Sequence, residues 1–193
     1  MSVTDKEATI RAVTRWEPDA RGRLAQAALE LYAARGFDRT TVADIAERAG
    51  LTERTFFRHF ADKREVLFAG GDALDALVEG AAGETPFAAA IAGFAAVGAV
   101  IQDRRAFAKQ RSAVIAASPE LQERELIKLA SWADTVRDAL VRQGVAADVA
   151  ALTAQVALGV FRSAFQRWVN GPDDADLAQC IREAADDLRA LVV

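Results

Sequence analysis

Residues 40–67 read TTVADIAERAGLTERTFFRHFADKREVL, and this run restricts the fold more than any other part of the chain. Thr41 precedes Val42-Ala43-Asp44-Ile45, so its hydroxyl can cap a helix carrying Asp44 in the first turn. The apolar spacing ends at Ala49-Gly50. Thr52 then caps a second short helix, Glu53 to Phe60, before Ala61-Asp62-Lys63 breaks it. Gly50 permits a turn that residues with a Cβ resist, and Ala46 is small where two helices must lie close. Two short helices joined by a tight glycine-containing turn make a helix-turn-helix. Val42, Ile45, Ala49, Leu51, Phe56 and Phe60 supply its internal apolar contacts. Glu53, Arg54, Thr55, Arg58 and His59 stay outward, as donors and acceptors suited to base edges.

The rest of the chain predicts an all-α protein. No stretch shows the alternation of β-branched residues expected of strands. Residues 1–17 are polar and read as a flexible arm bearing Arg11 and Arg15. Pro18-Asp19 open a helix to Arg35, with Leu24, Ala27, Ala28, Leu31 and Tyr32 on one face and Gly36 as its stop. Asp62 caps a further helix over 63–81. Long helices are expected near 86–102, 104–117, 119–143, 147–169 and 174–191. The breaks are Gly83-Glu84-Thr85-Pro86, Ser118-Pro119, Gly144 and Asn170-Gly171-Pro172-Asp173. The expected organisation is therefore an arm (1–17), a three-helix helix-turn-helix domain (18–65) and a second helical domain (66–193).

Charge does not by itself point to DNA. The net charge is −4. Residues 1–65 carry 12 Lys and Arg against 11 Asp and Glu, and the remainder 12 against 17. The acidity lies in the second part, yet the first is only weakly basic. The single Cys180 cannot form an intrachain disulfide, which fits a reducing compartment. The first 20 residues lack the apolar stretch of a secretory signal. The most apolar run, Pro86–Ile101, is too short for a membrane span and reads as a buried helix. A cytoplasmic protein without membrane contact is expected.

The helix-turn-helix residues resemble the tetracycline-repressor (TetR-like) family of bacterial regulators. The resemblance rests on Gly36-Phe37, Thr40-Thr41-Val42, Asp44-Ile45-Ala46, Ala49-Gly50-Leu51-Thr52, Thr55 to Phe60, and Lys63 with Glu65 and Leu67. It covers residues 18–68. It implies that Thr41 and Thr52 bond phosphates, that Glu53, Arg54 and Thr55 face bases, and that His59 and Lys63 touch the backbone. Arg11, Arg15, Arg21 and Arg23 are further backbone or minor-groove candidates. Phe57 stands where the family usually has Tyr, so a phosphate-bonding hydroxyl is missing there. Glu53 is awkward beside phosphates but can accept from a cytosine amino group. The partners implied are a near-palindromic duplex operator, a second copy of the chain and a small-molecule effector.

Beyond residue 80 no catalytic constellation is present. One His and one Cys lie far apart, which leaves no zinc site or Cys-His dyad, and no phosphate-cradling loop occurs. Neither cofactor nor metal is expected, and an enzyme reading is poor. A pocket among bundle helices fits better. Phe87, Ile91, Phe94 and Phe107 are candidate lining residues, as are Trp132, Phe161 and Phe165. Gln110 is a candidate polar anchor, with Arg111 and Gln155. The last two helices are expected to pair between subunits through Val156, Val160, Ala164, Leu177, Ile181, Leu188 and Leu191, with Arg162, Arg167 and Asp186 at the rim. The function expected is a repressor released by an apolar or aromatic effector. The alternative is a helical small-molecule-binding protein that has lost DNA readout.

Overall fold

The computed structural model describes residues 20–68 and 81–191. The chain divides into two compact units between Leu67 and Phe68. All regular structure among the described residues is helical. The arm, the helix start at Pro18-Asp19 and most of the helix expected over 63–81 lie outside the described residues. Of that last helix, Glu65–Leu67 form a single 3-10 turn. Asp62 does cap it, accepting from the backbone N–H of Arg64 (2.7 Å) and Glu65 (3.2 Å).

The first unit holds α1 (Ala20–Arg35), α2 (Val42–Arg48) and α3 (Glu53–His59). α1 packs on α2, α3 and the 3-10 turn. Its core face is not quite the expected one. Leu29 and Ala25 are buried with Leu24, Ala27, Ala28 and Tyr32, whereas Leu31 is only half-buried. α1 is contacted from three directions, so its apolar arc is wider than one i, i+3, i+4 stripe. Ile45, Ala46, Phe56 and Phe60 fill the space beneath, with Val42, Ala49 and Leu51 half-buried at its edge.

The second unit contains α4 (Pro86–Ile101), α5 (Arg105–Ala116), α6 (Pro119–Arg142), α7 (Ala147–Asn170) and α8 (Leu177–Leu191). Thr85-Pro86 and Ser118-Pro119 start their helices as the sequence predicts. Each hydroxyl oxygen accepts a backbone N–H three residues on, and proline occupies the first turn. α8 begins three residues later than expected because Asp176, not an earlier residue, is its cap: its carboxylate accepts from the Gln179 N–H (2.6 Å). α7 is the hub, packed against α4, α5, α6 and α8. By length and composition the run Pro86–Ala116 is apolar enough to cross a membrane. It is broken by a 3-10 turn at Gln102–Arg104, and Ala89, Ile91, Phe94 and Val97 of α4 are core residues.

Two polar side chains hold this bundle's corners. Gln102 donates to the Ala175 carbonyl (2.8 Å) and accepts from the Leu177 N–H (3.0 Å), which satisfies a group at the start of α8. Arg105 donates to the carbonyls of Trp168 (2.9 Å) and Gly171 (2.6 Å), where the C-terminal end of α7 favours a cation. At Gly98 a Cβ would lie 3.2 Å from the Ala178 backbone and from the Leu177 and Ile181 side chains. The glycine therefore sets how closely α4 and α8 approach.

Candidate functional site

The helix-turn-helix is locked by its own polar groups. Thr41 and Asp44 form a capping box. Asp44 N–H donates to Thr41 Oγ1 (3.1 Å), while Thr41 N–H (2.8 Å) and its hydroxyl (2.6 Å) donate to the Asp44 carboxylate. Arg35 adds an ion pair at 2.5 Å. The Thr41 hydrogen bonds, then Arg35, hold the Asp44 carboxyl down at about 2. Gly50 takes a positive φ of 65°, and Leu51 N–H returns to the Ala46 carbonyl at 2.8 Å. Arg23 of α1 reaches this turn and donates to the carbonyls of Ala49 (2.7 and 3.1 Å) and Gly50 (3.2 Å). Arg48 binds Glu30 through two nitrogens at 2.6 and 3.0 Å.

These contacts give several of the expected DNA-facing residues a task inside the unit. The single hydroxyl proton of Thr41 goes to Asp44. Lys63 donates to the carbonyls of Phe37 (2.9 Å) and Thr40 (3.0 Å), with its nitrogen 4.1 Å from the Phe37 ring centre. Two of the three ammonium protons are thus used inside the unit. Tyr32 completes this knot: its hydroxyl donates to the Lys63 carbonyl (2.6 Å), and burial pushes its pKa up, so it stays a neutral donor. Arg23 is a turn staple, and Arg21 lies over the Phe60 ring at 5.7 Å. Sequence reasoning missed these roles because they depend on which carbonyls are brought within reach.

α3 is different. Thr52 caps it, accepting from the Thr55 N–H at 3.2 Å with the two hydroxyls 3.1 Å apart. Phe56 is fully buried and fixes the helix on the unit. Glu53 and Arg54 are exposed, and their side chains have no partner among the described residues. Phe57 is 57% exposed. Arg58 is exposed and His59 half-buried, with Arg58 Nη2 3.5 Å from His59 Nε2. A short, rigid helix thus presents unpaired charge and an aromatic ring to solvent.

In the second unit the structure gathers some ligand candidates and separates others. Phe94 stacks on Phe161 (centroids 5.0 Å apart), and Trp132 meets Phe161 edge-on at 5.4 Å. Phe165 continues the array, and Ile91 is buried beside it in the same core. Trp168, overlooked in the sequence, closes it 5.6 Å from Phe165. The spacing Phe161, Phe165, Trp168 marks one helical face and could have revealed it. Trp168 is fully buried, and its indole N–H has no hydrogen-bond partner. Phe87 is half-buried at the core's edge, beneath the Arg189 guanidinium. Phe107 stands outside the core under Arg104, and Gln110 and Gln155 are exposed. Arg111 is held by Glu125 through two bonds of 3.1 and 2.5 Å.

Of the residues expected to pair between subunits, some are engaged within the chain, while Leu191 is exposed. Val160, Ala164, Leu177 and Ile181 are buried in the chain's own core. Nearer the N-terminus of α7, Val149 and Leu152 are exposed and Val156 half-buried. Arg167 is paired with Asp187, and Asp186 with Arg189. Among the described residues no group of three or more His, Cys, Asp or Glu could hold a metal ion. Burial, with Glu183 and Asp176 nearby, pushes the Cys180 thiol up, away from a reactive thiolate.

A capped helix-turn-helix followed by a separate helical bundle defines a helix-turn-helix regulator. Residues 24–69 match the family of bacterial regulatory proteins named for TetR, and residues 84–192 match the MftR C-terminal domain. The chain belongs to the TetR family: it is a DNA-binding transcriptional regulator and not an enzyme. It is 43% identical over 88 residues to the HTH-type transcriptional regulator TcmR of Streptomyces glaucescens, covering 43% of this chain and 39% of that protein's length. It is 28% identical over 173 residues to MftR of Mycobacterium tuberculosis, covering 84% of this chain and 86% of that protein. Its fold is similar to that of SmeT, solved as a complex with triclosan, with a TM-score of 0.62, 18% identity and coverage of 89% and 90% of the two chains.

Proposed function

We propose that the chain is a homodimeric repressor that reads a near-palindromic operator with α3 and leaves it when an apolar or aromatic effector enters the C-terminal bundle. The observation that carries this reading is the free charge on α3. Elsewhere in the first unit Arg23, Arg35, Arg48 and Lys63 are all engaged internally. Arg54 is not, and it stands where a guanidinium can bond a guanine edge through two nitrogens. Glu53 is free to accept from a cytosine amino group. Thr52, Thr55, Arg58 and His59 supply further donors around them.

For the effector, support comes from the aromatic array of Phe94, Trp132, Phe161 and Phe165, joined by Ile91 and Phe87. Rings of this kind favour an apolar, aromatic ligand, and SmeT is solved as a complex with triclosan. Phe107 and Gln110 are weaker candidates on geometry. The homodimer is supported by the exposed apolar stripe of α7. Two-fold symmetry would then set the reading helices about 34–36 Å apart. An effector releases the operator only if it binds one spacing of the heads better than the other.

The test is a selection of duplexes from a randomised pool by the full chain, followed by titration with planar aromatic compounds. The expected result is recovery of a site with two related half-sites, whose binding weakens as salt rises and is reversed by at least one compound. Absence of salt-dependent duplex binding would favour the alternative of a binding protein without DNA readout.

A further inference from the structure

We propose that Phe57 reads thymine in the operator, its ring seating against the 5-methyl group of one base in each half-site. The proposal rests on the reading of α3 as the recognition helix and adds a determinant of sequence to it. Phe57 is the one exposed large hydrophobic side chain among the described residues of the first unit, 57% accessible. It contributes little to the core, which Phe56 and Phe60 fill from the other side of α3. Its ring is nevertheless held in place, edge-on to Phe56 at 5.4 Å and 81°. It shares a helix face with Glu53 (i−4) and Arg54 (i−3), and Arg58 follows it.

That setting identifies what the ring can meet. Arg54 and Arg58 draw the face toward a polyanion, so its occupant is nucleic acid and not an apolar protein groove. A phenyl group has no donor for a phosphate oxygen. Along the major-groove edges of the four base pairs, the thymine 5-methyl is the one apolar group. An exposed ring on the same short helix as two exposed guanidinium side chains therefore has thymine as its complement. Cytosine in the same place offers a bare C5–H and a smaller apolar contact.

The experiment uses the full chain and a duplex it selects from a randomised pool. Each thymine of a half-site is replaced singly by deoxyuridine, which lacks only the methyl, and binding is measured at fixed salt. Wild-type protein should lose about three- to fivefold in affinity at one position per half-site, the equivalent of one buried methyl group. Phe57→Ala should bind more weakly and be indifferent to uracil at that position. Cytosine there should weaken wild-type binding, and 5-methylcytosine should recover about the same three- to fivefold factor. Circular dichroism of Phe57→Ala checks its folding, and the uracil arm needs no variant. Full tolerance of uracil by a protein that binds its operator overturns the proposal alone. So does a Phe57→Ala protein that keeps the uracil sensitivity. Recovery of no duplex at all overturns the reading of α3, and this proposal with it.

Discussion

Lys63 illustrates how much of a residue's surroundings its position alone leaves unread. Its place after α3 suits a phosphate contact, yet its ammonium ties the Phe37 and Thr40 carbonyls and covers the Phe37 ring. Lys63→Met keeps the alkyl stem and removes these bonds. It should lower unfolding free energy by about 1.5–3 kcal/mol, read by denaturant titration, with operator affinity of the folded protein changed less than by Arg54→Ala. Asp44 gives a pH-dependent case. Its pKa is about 2 in the folded chain against about 3.9 unfolded. A depressed carboxyl stabilises the fold above the unfolded value, and that contribution fades as pH falls from about 4 to about 2. Asp44→Asn should therefore flatten the dependence of the melting temperature across this window relative to wild type. Equal slopes for the two proteins would remove the capping box from the account.

Among the elements, α4 and α8 meet at Gly98, where a side chain has no room. Gly98→Val should destabilise the bundle by about 1–3 kcal/mol through overpacking, seen as a lower melting temperature, and Gly98→Ala should cost less. The helices themselves were legible. Threonine and serine caps followed by proline, and glycine stops, fixed most ends because those residues act through local backbone chemistry. The helix-turn-helix was legible for the same reason, as Thr41, Gly50 and Thr52 each act within a few residues. The core faces were harder. Leu31 was expected inside and Leu29 is there instead, because contacts from several neighbours decide a helix's buried arc. On α7, Leu152, Val156, Val160 and Ala164 follow one another at i, i+4 spacing, so spacing could not separate the buried Val160 and Ala164 from the exposed Val149 and Leu152 nearer the N-terminus. The tasks of Arg23 and Arg105 depend on carbonyls 26 and 63 or more residues away, beyond any local pattern.

For the whole molecule, the outer stripe of α7 bears on assembly. A 20.7 kDa chain that pairs through this stripe should sediment at twice its mass, and Leu152→Glu should shift it toward the monomer and weaken operator binding with it. Loss of two-headed binding is expected because, among the described residues, each head alone has few free cations; most of the described arginines of the first unit are engaged internally. That scarcity makes Arg54 the decisive side chain. The most direct test is a gel shift of wild type and Arg54→Ala on the selected operator at matched salt, with an unrelated duplex as control. Arg54→Ala should lose about 1–3 kcal/mol on the operator and little on the control duplex. Equal operator affinity for the two proteins would contradict the assignment of α3 as the helix that reads DNA.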